Sequence, residues 1–140
     1  MAISWQAWAL LSAVFAGVTA ILAKVGVRDI DSNLATAIRT VVILVFAWSI
    51  AAARGSISLT GIAPKTWLFL ALSGIATGTS WLCYFRALQL ADASKVAPID
   101  KLSVVFTIAL AALLLGESLN WRHWIGGGLI VAGAWLVSRA

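Results

Sequence analysis

The chain has 140 residues, 62% of them hydrophobic and 11% charged, with a mean hydropathy of +1.01. Soluble domains run at about 45 to 50% apolar and about 25% charged, so this composition excludes a soluble enzyme, a nucleic-acid-binding domain and a disordered tail. The net charge of +5 arises from 10 Lys and Arg against 5 Asp and Glu, and these cations are scattered singly between apolar runs, as membrane-flank anchors are and phosphate-binding patches are not.

A bilayer core of about 30 Å needs about 20 helical residues, and charge and turn clusters cut the chain into five such spans. The first runs from Trp5 to Val25. It follows a start without the positive region of a secretory signal, and its apolar run is too long for a signal core, so it reads as a retained span. The second runs from Asn33 to Ala53, capped by Asp31 or Ser32 and stopped at Arg54-Gly55-Ser56. A polar connection from Gly55 to Lys65 carries Pro64 at the mouth of the third span, Thr66 to Leu88. Asp92-Ala93-Ser94 opens the fourth, Lys95 to Leu115, and Gly116 to Asn120 closes it. The fifth, Trp121 to Val137, starts with Arg122 and His123. The expectation is an all-α integral membrane protein of five transmembrane helices, a single domain over 1–140.

Trp5, Trp8, Trp67, Trp121 and Trp124 fall near span ends, where an amphipathic indole favours the headgroup level. Small residues recur four apart at Ala9, Ala13 and Gly17, at Gly74 and Gly78, at Ala112 and Gly116, and at Gly128 and Ala132. Such stripes let helix backbones approach closely in lipid. Five spans put the termini on opposite sides. One side then carries three cations, Arg54, Lys65 and Arg122, and the other five, Lys24, Arg28, Arg86, Lys95 and Arg139. The bias favours a cytoplasmic C-terminus, but it is small enough that insertion both ways round is expected.

A charge at the centre of a span costs at least about 2.5 kcal/mol on insertion scales, so each one requires a reason. Arg39 lies two turns into the second span, and Asp100 with Lys101 nearly as far into the fourth. Both spans start from the same side, so these groups reach depths of about 8 to 11 Å. An Arg39 to Asp100 pair would leave Lys101, turned by about 100° around its helix, as the uncompensated charge, able to bind an anionic group or release a proton. The alternative is that Arg39 and Lys101 snorkel to the interface on their long stems. Asp100 and Glu117 are the carboxylate candidates for proton coupling, with Glu117 also suited to a loop contact near Arg122. Pro98 removes a backbone donor near the start of the fourth span, and either begins the helix or breaks it at a gate. Ser80, Trp81 and Tyr84 share one face of the third span, suited to line a pocket for an organic solute or to pack against a neighbouring helix.

Other chemistry finds no support. The single His123 and single Cys83 supply neither a metal set nor a catalytic arrangement, no phosphate-binding loop follows a strand, and no cofactor is implied. Gly126-Gly127-Gly128 lies within a span, where it permits close packing or a bend.

The order Tyr84-Phe85-Arg86-Ala87-Leu88, Ala93-Ser94-Lys95-Val96-Ala97-Pro98, Gly116-Glu117-Ser118-Leu119, Ile125-Gly126 and Leu129-Ile130-Val131-Ala132-Gly133 resembles the EamA family of the drug/metabolite transporter superfamily. The likeness is specific over about 87–136, and in the first two spans rests on Lys24 and Arg39. Family members often carry a proline in mid-helix before a Val-Phe-Thr-like stretch. In this chain Val104 precedes Val105-Phe106-Thr107, and Pro98 sits earlier, so a lost or displaced kink is expected. The resemblance implies transport of small organic solutes or metabolites, commonly export, from a bacterial inner membrane. Most relatives join two such units as inverted repeats, so this single unit implies an antiparallel homodimer, or an oppositely oriented homologous subunit, working by alternating access. A non-transporting membrane subunit that stabilises a partner, and a lipid or amphipath flippase, are the alternatives.

Overall fold

In the computed structural model, which describes residues 4–139, all regular structure is helical, with no strand among the described residues. The elements are α1 (Trp5–Gly26), α2 (Ser32–Ala53), α3 (Pro64–Leu90), α4 (Ala93–Asp100), α5 (Ser103–Leu115) and α6 (Trp121–Ser138). Among the described residues four stretches are long and apolar enough to cross a membrane: α1, α2, α3, and Ala93–Leu115, which joins α4 to α5. The expected fifth span forms as α6 but is not among them. Its 18 residues open on Trp121, Arg122 and His123 and include four glycines, which lowers its mean hydropathy below that of the other four.

Local chemistry sets the helix ends. The Asp31 carboxylate accepts from the backbone N–H groups of Asn33 (2.9 Å) and Leu34 (3.1 Å), capping α2. Pro64 takes the first position of α3, where its missing N–H would have had no helical partner. Gly116 ends α5 with φ +69°, a left-handed conformation that favours glycine. Asn120 opens α6 by accepting from the Arg122 N–H, and the His123 ring accepts from the Asn120 N–H at 3.0 Å. The imidazole is thus engaged in a capping box.

The chain divides into two compact units, Val25–Gln89 and Met1–Lys24 with Leu90–Ala140. In the first, Val27, Ser32, Ala35, Thr36, Phe85 and Leu88 are buried, so its packed part gathers the α1–α2 connection, the start of α2 and the end of α3. Gln89 ties these together, its amide donating to the carbonyls of Val27 (3.0 Å) and Ile30 (2.8 Å). In the second, α6 packs against α4 and α5. Val96, Gly127 and Ala134 are buried there, and a Cβ at Gly127 would lie 3.9 Å from the Val105 side chain. The Lys24 ammonium donates to the Ala91 carbonyl at 2.8 Å.

Among the described residues the buried alanines and glycines are therefore Ala20, Ala23, Ala35, Gly127 and Ala134, whereas the expected stripes at Ala9, Ala13, Gly17, Gly74, Gly128 and Ala132 are exposed. The shift on α6 has a simple origin. Gly127 and Ala134 are seven apart, two turns on one face, and a four-residue pattern does not reveal which face a neighbour meets. The candidate spans bury at most 11% of their apolar windows within the chain, which leaves most of their apolar surface for lipid or further protein to cover.

Candidate functional site

The fourth span is discontinuous. Pro98 lies inside α4, which stops at Asp100, and α5 starts at Ser103. Proline has no N–H to return to the preceding turn and crowds the carbonyl there. The backbone then tightens: the N–H of Leu102 turns to Ile99, that of Val104 to Lys101 and that of Val105 to Leu102, each a three-residue step. Instead of one continuous helix over Lys95 to Leu115, the sequence thus builds two half-helices with an irregular joint.

Asp100 and Lys101 occupy that joint. The Lys101 ammonium lies 3.4 Å from the Asp100 carboxylate, with side chains 57% and 36% exposed. Lys101 is therefore not left as the uncompensated charge. The reason is local: the helix ends between the two residues, and the flexible four-carbon stem of lysine curls back to its neighbour. The joint carries an oppositely charged pair of near-zero net charge.

Arg39, on α2, has a different partner. Its guanidinium carbon sits 4.1 Å from the centre of the Trp81 ring and 5.4 Å from that of Phe85, both on α3. Trp81 and Phe85 are four apart and share a helix face, and a cation over the negative face of an aromatic ring is attracted by its quadrupole. Tyr84 stands within electrostatic reach of the guanidinium. Arg39 and Trp81 are half-buried, Phe85 is buried and Ser80 is exposed. Beside the Ser80, Trp81 and Tyr84 face read from the sequence, Phe85 joins Trp81 beneath the cation. The i, i+4 relation of Trp81 to Phe85 was available in the sequence. The direction in which α2 would place Arg39 was not.

Glu117 follows the left-handed Gly116, and its N–H closes α5 on the Ala111 carbonyl at 3.2 Å. Arg122 lies over the Trp121 ring at 5.7 Å. No group of three or more His, Cys, Asp and Glu among the described residues could hold a metal ion.

Comparison with known proteins places this chain in a family. The profile of the EamA-like transporter family matches residues 3–139. The chain belongs to that family. It is an integral membrane protein of transporter type, and the EamA match extends well beyond the 87–136 core of the sequence likeness. Among relatives, a protein of Sinorhizobium sp. named "Uncharacterized transporter in cobO 3'region" is 57% identical over 139 residues, covering 99% of each chain. A Proteus mirabilis protein named a probable 4-amino-4-deoxy-L-arabinose-phosphoundecaprenol flippase subunit, ArnF, is 29% identical over 94% of this chain and 90% of its own. The Pseudomonas fluorescens subunit named ArnE is 33% identical over 52% of this chain and 62% of its own. No solved structure matches this EamA chain.

Proposed function

We propose that the chain is one half of a small secondary transporter: a five-span membrane domain over 1–140 that pairs with a second copy inserted the opposite way round and moves a small organic solute by alternating access in the bacterial inner membrane. An oppositely oriented homologous subunit serves the same geometry. The observation that carries the reading is the broken fourth span, α4 to α5, with Asp100 and Lys101 at the joint. Discontinuous helices are a recurrent way of building solute and ion sites at the midplane of inverted-repeat transporters. In this reading α6 is the fifth span, Pro98 maintains the joint, Asp100 and Lys101 are its polar groups, and Asp100 and Glu117 are candidates for proton coupling. Trp81 and Tyr84, with Ser80 beside them, are the α3 side chains offered to the solute.

Orientation tests the proposal. A cysteine appended after Ala140 in a Cys83→Ala background is labelled in intact cells with an impermeant thiol reagent, before and after permeabilisation. Dual insertion predicts that about half of the C-termini react from outside, as expected for a weak cation bias. Wholly one-sided labelling removes the antiparallel homodimer.

A second reading, a flippase subunit acting on a lipid-linked amphipath, is favoured by the names of the ArnE and ArnF relatives. It predicts accelerated transbilayer movement of a fluorescent polyprenyl phosphate in proteoliposomes, with no efflux of water-soluble compounds.

A further inference from the structure

The Arg39 cation is held without an acid. It lies seven residues into α2, about 10 Å along the helix from its start, within a stretch apolar enough to span a membrane. The carboxylates of its compact unit are Asp29 and Asp31. Asp31 is engaged in capping α2, and Asp29 is exposed on the α1–α2 connection. Among the described residues no group accepts a hydrogen bond from the Arg39 guanidinium. What holds it is the pair of rings, Trp81 at 4.1 Å and Phe85 at 5.4 Å.

Stacking and hydrogen bonding use different parts of a guanidinium. The ring attracts its flat face, whereas its five N–H donors point outward in the plane. An arginine seated on tryptophan is therefore fixed in position and partly stripped of water while its donor fork stays open. A planar fork of this kind matches the two oxygens of a carboxylate or phosphate in bidentate fashion. A membrane-embedded cation with no protein counter-charge also gains more than an exposed one when an anion arrives, because the surrounding dielectric is low.

We propose that Arg39, seated on Trp81 and Phe85, is an anion-recognition site, and that the species this protein handles carries a carboxylate or phosphate group which the guanidinium edge grips. The proposal rests on the transport reading for its purpose and names the substrate class. The anionic group has two sources, a free organic anion or the phosphate of a lipid headgroup that reaches α2 and α3 from the bilayer.

The test compares wild-type protein with Arg39→Lys, Arg39→Gln, Trp81→Phe and Trp81→Leu in phosphatidylcholine nanodiscs. Acetate and inorganic phosphate are titrated by calorimetry, and phosphatidic acid doped into the discs is measured as lipid retained by the repurified protein. The wild type is expected to saturate with at least one probe. Arg39→Lys keeps the charge but loses the fork and should bind at least about tenfold more weakly, the size expected for a charge-assisted hydrogen bond. Arg39→Gln should not saturate. Trp81→Phe should stay near wild type, and Trp81→Leu should lose about fivefold with its aromatic platform gone. If Arg39→Gln does not elute as folded protein, Arg39→Lys carries the comparison. Phosphatidic acid binding alone identifies the lipid source, and binding of acetate or phosphate identifies a free anion. The site is overturned by a wild type that saturates with none of the probes, by Arg39 variants that bind as tightly as wild type, or by an unaffected Trp81→Leu. Anion binding in a protein that moves no solute would keep the site and remove the transport reading, and solute flux with no anion binding would do the reverse.

Discussion

Replacing Gln89 by leucine should loosen the unit built from Val25–Gln89. The side-chain amide donates to the Ile30 carbonyl at 2.8 Å and to the Val27 carbonyl at 3.0 Å, so one side chain on α3 fastens both ends of the turn that follows α1. Leucine has a similar volume but no donor. Two neutral hydrogen bonds contribute about 0.5 to 1.5 kcal/mol each, and Val27 is only 1% exposed, so water reaches its carbonyl poorly and the loss there lies toward the upper end. The expected destabilisation is about 2 kcal/mol. For a chain of this length about 4 °C of melting temperature accompanies each kcal/mol, giving a drop of about 8 °C. Thermal unfolding in mild detergent, followed by helical circular dichroism, measures it. Arg86→Ala is the control, because Arg86 touches only the far, exposed side of the Gln89 amide, donating to its oxygen at 3.0 Å. Its effect should stay below about 1 kcal/mol, as for exposed contacts. A Gln89→Leu protein that melts with the wild type, or an Arg86→Ala protein that falls further, would refute the assignment of the latch to these two carbonyls.

Two further outcomes follow from other elements. Gly116→Ala places a Cβ at φ +69° with nothing within 4 Å of it, so the cost is purely backbone, about 1 to 2 kcal/mol. Gly116→Asn should cost less, and equal melting temperatures for wild type and Gly116→Ala would contradict the left-handed cap. Lys101→Met removes the cation at the helix joint and leaves Asp100 without its 3.4 Å partner. Efflux of whichever compound a panel of toxic solutes and amino acids shows the wild type to export should be lost, with membrane abundance near normal. Wild-type efflux in that variant would assign Lys101 to the lipid interface.

Apolar runs measured against a bilayer core of fixed thickness determined the membrane location and helical class, because a chain in lipid must satisfy its own backbone hydrogen bonds. Helix ends were legible for the same local reason: Asp31 and Gly116 act on backbone groups within a few residues of themselves. The family was legible in the motifs from Tyr84 to Gly133. The partners of the charges were not. Nothing in the spacing of Arg39 and Trp81, 42 positions apart, says that a guanidinium will choose a ring over a carboxylate. That choice depends on which faces of α2 and α3 meet and where the long side chain points. The sequence marked Pro98 as a break or a start, but the joint at Lys101 and Leu102 was decided by how the backbone beyond the proline re-forms its hydrogen bonds. The Asp100–Lys101 pair followed from that joint. Local rules act over one turn of chain and can be read in order, whereas the partners of Arg39 and Gln89 exist only once distant segments are packed side by side.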